Sequence, residues 1–248
     1  MKFYSTNHSV NPVSFRVAIM EGMPKDNGLY MPEHIPDLSK IINQNTNLSF
    51  QEISYLISSG FVENCLTNNQ LHNIIESSMT FDPPNKQIYD NIYCLELFNG
   101  PTLAFKDFGA RFMARCMENF IEGYDKKLNI LVATSGDTGS AVANGFYKVN
   151  GINVIILYPK GKVSAIQEKQ LTTLDENITA IEVDGSFDDC QNLVKKAFLD
   201  TNITKKINLS SANSINIARL IPQSFYYFNA FAKLNNPSLL VFTPKFDK

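Results

Sequence analysis

The chain has 248 residues, 44% hydrophobic and 19% charged, enough apolar content to fill a core without disulfide or metal staples. Its 22 basic against 24 acidic side chains give a formal charge of −2, which excludes the basic footprint of a nucleic-acid binder. Cys65, Cys94, Cys116 and Cys190 show no Cys-x-x-Cys spacing, no apolar signal region opens the chain, and no apolar run is long enough for a bilayer; a reduced, cytoplasmic setting without a membrane is expected.

The first eighty or so residues are rich in Asn, Ser and Pro and carry short helical periods, such as Ile53, Leu56, Ile57, Phe61 and Leu71, Ile74, Ile75. They predict a small, mainly helical N-terminal unit over 1–84. Its boundary is Phe81-Asp82-Pro83-Pro84-Asn85, where two prolines fix φ and stop a helix. From 85 to 248 the texture alternates. Buried strands are predicted at Ile92–Leu97, Ile130–Thr134, Val154–Tyr158, Ile178–Val183 and Leu239–Thr243, with a weaker one at Ile207–Leu209. Helical periods lie between them: Phe108, Phe112, Cys116, Phe120, then Ala141, Val142, Gly145, Phe146, Val149. Ser186 with Asp189 forms a capping-box pattern before the stripe Leu193, Val194, Ala197, Phe198. Strand then helix, repeated, predicts an α/β fold with a mainly parallel sheet, whose ligands collect at strand carboxyl ends beside helix N-termini.

Three segments stand at such junctions. In the first, Leu97 to Gly109, one lysine lies in an apolar stretch after a Gly100-Pro101 turn. Leu103, Phe105 and Phe108 would desolvate Lys106, and a helix N-terminus beside it is positive; both favour a neutral, nucleophilic amine of the kind that forms a Schiff base. Taken alone, the plainer reading is a lysine that reaches water and pairs with Asp107 or Glu96. The triplet Asp107-Phe108-Gly109 also spells a kinase metal motif, but no His-Arg-Asp loop accompanies it.

In the second segment, Thr134, Ser135, Gly136, Asp137, Thr138 and Gly139 join a strand to a helix with two glycines and several hydroxyls, a composition suited to cradling a carboxylate or phosphate. An ordinary capped turn reads the same way. The third segment, Ser210 to Arg219, opens the last helix, with Pro222 inside it. Asn213, Ser214 and Asn216 are capping types, and Arg219 could reach back towards an anion held there; a capped helix with an exposed arginine is the plainer alternative. His8, His34 and His72 lack ligand spacing, so no metal site is expected.

Together the runs Cys94 to Gly109, Ala133 to Gly139, Ile156 to Ser164 and Ser211 to Arg219 resemble the threonine synthase family. Val13-Ser14-Phe15-Arg16 and Gly28-Leu29-Tyr30-Met31-Pro32 resemble that family's opening segments, so the likeness covers almost the whole chain. It implies a fold type II, tryptophan synthase β-like enzyme using pyridoxal 5'-phosphate, preceded by the small N-terminal unit. The family converts O-phospho-L-homoserine and water into L-threonine and phosphate. By resemblance Lys106 is the Schiff-base and catalytic lysine, with Phe105 and Asp137 beside the cofactor. Asp137 stands where related enzymes often have an asparagine near the ring oxygen. Thr134, Ser135, Gly136, Asp137 and Thr138 match the loop receiving the substrate carboxylate, and Asn213, Ser214 and Arg219 match positions around the substrate phosphate. After Leu239-Leu240-Val241-Phe242-Thr243-Pro244 the family continues into a Gly-Asn-Phe-Gly phosphate loop, whereas here Lys245-Phe246-Asp247-Lys248 follows. The expectation is therefore a fragment with little or no activity. A related phospho-lyase and a non-catalytic remnant that binds an anion or a partner subunit are the alternatives. A nicotinamide-dependent oxidoreductase lacks its dinucleotide fingerprint here.

Overall fold

A computed structural model describes residues 1–39, 47–123 and 127–234. The strand expected at Leu239–Thr243 lies outside the described residues. The chain opens on a three-stranded antiparallel sheet: β1 (Lys2–Ser5) pairs with β2 (Val13–Ser14) on one side and β3 (Tyr30–Pro32) on the other. Strands of two to four residues are too short to show a period-two pattern, so this sheet is not among the elements expected from sequence. Ser14 caps α1 (Phe15–Glu21) by accepting the Val17 amide. Reciprocal capping boxes, Ser49 with Glu52 and Thr67 with Gln70, open α2 (Phe50–Ser59) and α3 (Asn68–Ser78).

One expected strand is corrected. The sequence predicts a buried strand at Ile92–Leu97. Instead β4 (Asn85–Tyr89) and β5 (Ile92–Leu95) form a separate antiparallel hairpin. Asn91 turns it at φ 63°, a conformation asparagine tolerates, and Ile92 is 56% exposed.

The remaining elements alternate as expected: α4 (Lys106–Ile121), β6 (Leu128–Ala133), α5 (Asp137–Phe146), β7 (Ile152–Pro159), α6 (Ala165–Thr172), β8 (Ile178–Val183), α7 (Phe187–Leu199), α8 (Thr201–Thr204), β9 (Asn208–Ser210) and α9 (Ile217–Leu234). The sheet is wholly parallel with order β8-β7-β6-β9, and Ile130 lies level with Val154 on one neighbour and Ser210 on the other. Buried Ile130, Val132, Val154 and Ile156 read as continuous apolar runs because helices cover both faces. The capping box of α7 is present, with Ser186 N donating to Asp189 Oδ2 at 2.7 Å and Asp189 N to Ser186 Oγ at 3.2 Å. Leu193, expected in its buried stripe, is 44% exposed instead; Cys190 and Val194 are the residues of α7 that are buried.

Helix α4 is the axle of the core. Phe108 packs against Phe81, Phe50 and Tyr226 with ring centroids 4.7, 5.7 and 5.4 Å away. Farther along, Phe112 meets Phe225, and Phe120 meets Phe15. The apolar cluster thus runs unbroken from the N-terminal elements into the parallel sheet. Chain order steps outward from β6 to β7 to β8 and then crosses to β9 on the other flank of β6. That reversal leaves the carboxyl ends of β6 and β9 side by side, the switch point where such sheets hold ligands.

Candidate active site at the switch point

Lys106 is the first residue of α4, with Phe105 at the helix N-cap. Its Nζ lies 3.5 Å from Asp137 Oδ2 and 4.5 Å from the Phe105 ring centroid, and the side chain is 25% exposed. Of the three apolar neighbours expected to dry this amine, only Phe108 is buried. Leu103 is 71% exposed and held at φ 60°, so it points away as the Gly100-Pro101 turn closes through Leu103 N donating to Gly100 O at 3.1 Å. The ammonium's partner is neither Asp107 nor Glu96. Glu96 faces Lys86 at 4.0 Å, while Asp107 is fully buried and accepts from Thr102 N at 2.9 Å and Thr102 Oγ1 at 2.6 Å. A Cβ on Gly100 would strike the Asp107 carboxylate, which is why the turn carries glycine there. Asp107 is therefore a clamp on the turn that presents Lys106, and burial holds its carboxyl above the usual range.

Asp137 opens α5, directly after the loop that leaves β6 and is built around Thr134. The buried Thr134 hydroxyl accepts from the Gly136 and Gly139 amides at 3.0 and 2.8 Å and donates to Gly136 O at 3.0 Å. The amides of the two glycines in this segment are therefore used within it, by Thr134. The hydroxyls of Ser135 and Thr138 make no hydrogen bond among the described residues, and they stand at the N-terminus of α5, where backbone amides lack helical partners. Gly136 sits at φ 143°, in a region that L side chains rarely adopt, and a Cβ there would lie 2.5 Å from the Gln167 amide.

Gln167 is a site residue absent from the candidates that sequence provides. Its Nε2 donates to Asp137 Oδ1 at 2.6 Å, while its Oε1 accepts from Ser164 N at 3.2 Å in the capping box of α6. Ser164-Ala165-Ile166-Gln167 announces the cap in sequence; nothing local announces a contact thirty positions back.

Arg219, one alternative for which was an exposed residue, is 4% exposed. Its Nη1 donates to Ala212 O at 2.6 Å, and a Cβ on Gly109 would lie 3.0 Å from its Nε, so the guanidinium lies against the first turn of α4. Burial pushes it down to about 10, partly offset by Asp107. Asn213 is half-buried, its backbone N–H donating to Ser211 Oγ at 3.3 Å, and Ser214 is exposed. Asn216 is fully buried: Nδ2 donates to Ile19 O at 2.9 Å and Oδ1 accepts from Ala218 N at 3.0 Å, tying this loop to α1. Ser210 Oγ, at the carboxyl end of β9, is buried with no hydrogen-bond partner among the described residues. Among those residues no group of three or more His, Cys, Asp or Glu is placed to hold a metal, and no helix is long and apolar enough to cross a membrane.

This arrangement, a lysine at a helix N-terminus facing a strand-end loop on a parallel sheet, matches a family by sequence. Residues 80–228 match the pyridoxal-phosphate dependent enzymes and residues 2–79 match the N terminus of threonine synthase, and the chain belongs to the pyridoxal-phosphate dependent enzyme family. It is 47% identical over 234 residues to the threonine synthase of Haemophilus influenzae, covering 94% of this chain and 54% of that protein. The Escherichia coli threonine synthase is 45% identical over 235 residues, again 94% and 54%. Among solved structures, E. coli threonine synthase superposes with a TM-score of 0.86 at 43% identity, over 96% of this chain and 55% of that one. The pyridoxal-phosphate-bound threonine synthase of Brucella melitensis gives 0.89 at 34% identity, over 97% and 53%. The chain spans about half the length of the curated relatives it matches.

Proposed function

We propose that this chain carries the lysine-bearing part of a threonine synthase site, taking O-phospho-L-homoserine and water to L-threonine and phosphate with pyridoxal phosphate as cofactor. The observation that carries the reading is Lys106 itself, a part-exposed amine at a helix N-terminus, facing a strand-end loop in a sheet of the family's architecture. The division at residue 84 into an N-terminal unit and an α/β unit is part of the same proposal.

The residues present suit such a cofactor. An amine that water reaches is also within reach of an aldehyde, the Phe105 ring stands beside it, and the unbonded hydroxyls at α5 and the buried cation Arg219 suit anionic groups. When bound, the cofactor ring supplies an electron sink. Lys106 Nζ would hold it and move protons, first from the substrate α-carbon and then from the β-carbon. Ser135, Thr138 and the free amides of α5 would receive the substrate carboxylate, with Thr134 and Gly136 shaping that loop. Asp137 would stay beside Lys106. Asn213, Ser214 and Arg219 would face the substrate phosphate. That assignment agrees with a buried guanidinium whose hydrogen bond among the described residues goes to a single carbonyl.

The test is incubation of the purified protein with pyridoxal phosphate, borohydride reduction and peptide mapping, then phosphate release from O-phospho-L-homoserine. The reading expects the label on Lys106, its loss in Lys106→Ala, and the loss of any phosphate release with it. A label spread over surface lysines, unchanged by that substitution, overturns it. A keto acid product in place of threonine would favour the phospho-lyase.

A further inference from the structure

We infer that Gln167 is a positioning residue for Lys106, acting through Asp137. This rests on the reading above only in taking Lys106 as the reactive amine. The Asp137 carboxylate has one oxygen on each side: Oδ1 receives Gln167 Nε2 at 2.6 Å, and Oδ2 meets Lys106 Nζ at 3.5 Å. The orientation of the Gln167 amide is not free. Its Oε1 is engaged by Ser164 N at 3.2 Å, so the opposite face, the NH2, is the one turned to Asp137. The Gln167 amide also covers Gly136, where a Cβ would collide with it, so any other residue at 136 would push the amide off Asp137. A cap on one helix thereby fixes the rotamer of a carboxylate on a second helix, which fixes an amine on a third. Before an aldehyde can be attacked, Lys106 must leave this ion pair. Gln167 sets how firmly the pair is held.

The experiment measures how fast Lys106 is reductively methylated by formaldehyde and cyanoborohydride, relative to the other lysines, by peptide mass spectrometry without cofactor. In Asp137→Ala the relative rate at Lys106 should rise about two- to fivefold, the span set by a part-exposed ion pair. Gln167→Met should give the same rise, and the double variant no further rise. Ser164→Ala, which weakens the cap but leaves the backbone amide on Gln167 Oε1, should stay at the wild-type rate. A merely structural role for Gln167 would move Ser164→Ala and Gln167→Met together. The inference is overturned if Gln167→Met leaves Lys106 at the wild-type rate, or if its effect adds fully to that of Asp137→Ala. Should Gln167→Met fail to fold, the Gln167 side-chain amide protons in the Asp137→Ala protein decide the matter. Their exchange with solvent should be about tenfold faster than in wild type once the charged hydrogen bond is gone, and unchanged exchange overturns the inference. Because formaldehyde replaces the cofactor, these outcomes stand apart from the borohydride test, which alone decides whether Lys106 is the cofactor lysine.

Discussion

Replacing Arg219 by methionine separates stability from anion binding. Burial pushes the Arg219 guanidinium down to about 10, so the fold disfavours its charged form by an amount on the order of 3 kcal/mol, at about 1.4 kcal/mol per tenfold. The sign follows from the lowered value: the cost is carried in full at neutral pH and is relieved only as pH rises past about 10. Methionine fills similar volume without the charge and removes that cost. It also leaves Ala212 O without its donor, a loss of about 1–3 kcal/mol. The balance is a stability unchanged or raised by up to about 2 kcal/mol, which for a chain of this size is a Tm rise of up to roughly 6 °C. Inorganic phosphate, titrated by calorimetry, should bind about tenfold or more weakly, since a charge-assisted contact is lost. Natural sequence would then be retaining a buried cation at a stability cost because the anion needs it. A Tm drop of more than about 6 °C with phosphate binding intact would refute this, and would make Arg219 a structural strut for the loop at Ala212.

Other changes read out the framework around the site. Phe108→Ala, at the meeting point of Phe50, Phe81 and Tyr226, should cost about 3–5 kcal/mol in urea unfolding; a loss under about 1 kcal/mol would mean that the three rings do not share one core. Gly139→Ala would bring a Cβ to 2.5 Å from Thr134 Cγ2 and should lose about 1–3 kcal/mol; full stability would show that the Thr134 loop gives way to a methyl group without cost. Ser186→Ala should cost about 1 kcal/mol by removing the α7 cap, measured as a shift of the urea midpoint with unchanged slope. Asp107 has a pH signature. Because its folded carboxyl lies above the unfolded value, it contributes stability that grows as pH falls towards about 4, so Asp107→Asn should lose stability more steeply on acidification than wild type. Parallel urea-midpoint profiles for the two proteins would count against a buried, desolvated Asp107.

Legibility followed how local each cause is. The buried strands β6 and β7 were readable because both faces are covered and the apolar runs are continuous, and the α7 cap because its two partners are three residues apart; Ile178–Val183 is a strand as expected, but β8 lies at the sheet edge, buried at Ile178 and with Ile181 44% exposed. The hairpin β4–β5 was misplaced because exposed Ile92 and Tyr93 look, in sequence, like a buried run. Leu103 misled for a similar reason: a positive φ turns it outward, and sequence does not display φ for a leucine. Arg219 depended on Gly109, more than a hundred positions away, leaving room for the guanidinium, and Gln167 on a cap that sequence announces and a contact that it does not. Lys106 is legible as one lysine within an apolar run, although only Phe108 of its three apolar neighbours is buried.

Long-range contacts join the N-terminal elements to the loop and helix that carry the candidate residues. Asn216 Nδ2 reaches Ile19 O, Arg16 Nη2 reaches Phe120 O at 2.8 Å, and Gly22, at φ 74°, lies where a Cβ would press on Asn216 and Ser211. Each ties α1 either to the loop holding Asn213, Ser214 and Arg219 or to the far end of α4, whose first residue is Lys106. Buried amides satisfied across such distances are costly to leave half-made, so α1, that loop and α4 are expected to open together. Amide exchange should therefore show α1, the α9 N-terminus and α4 sharing one opening free energy. If α1 exchanged through a separate, cheaper opening while Ala218 N stayed protected, the loop would be held by its own cap alone and the N-terminal unit would be a passenger.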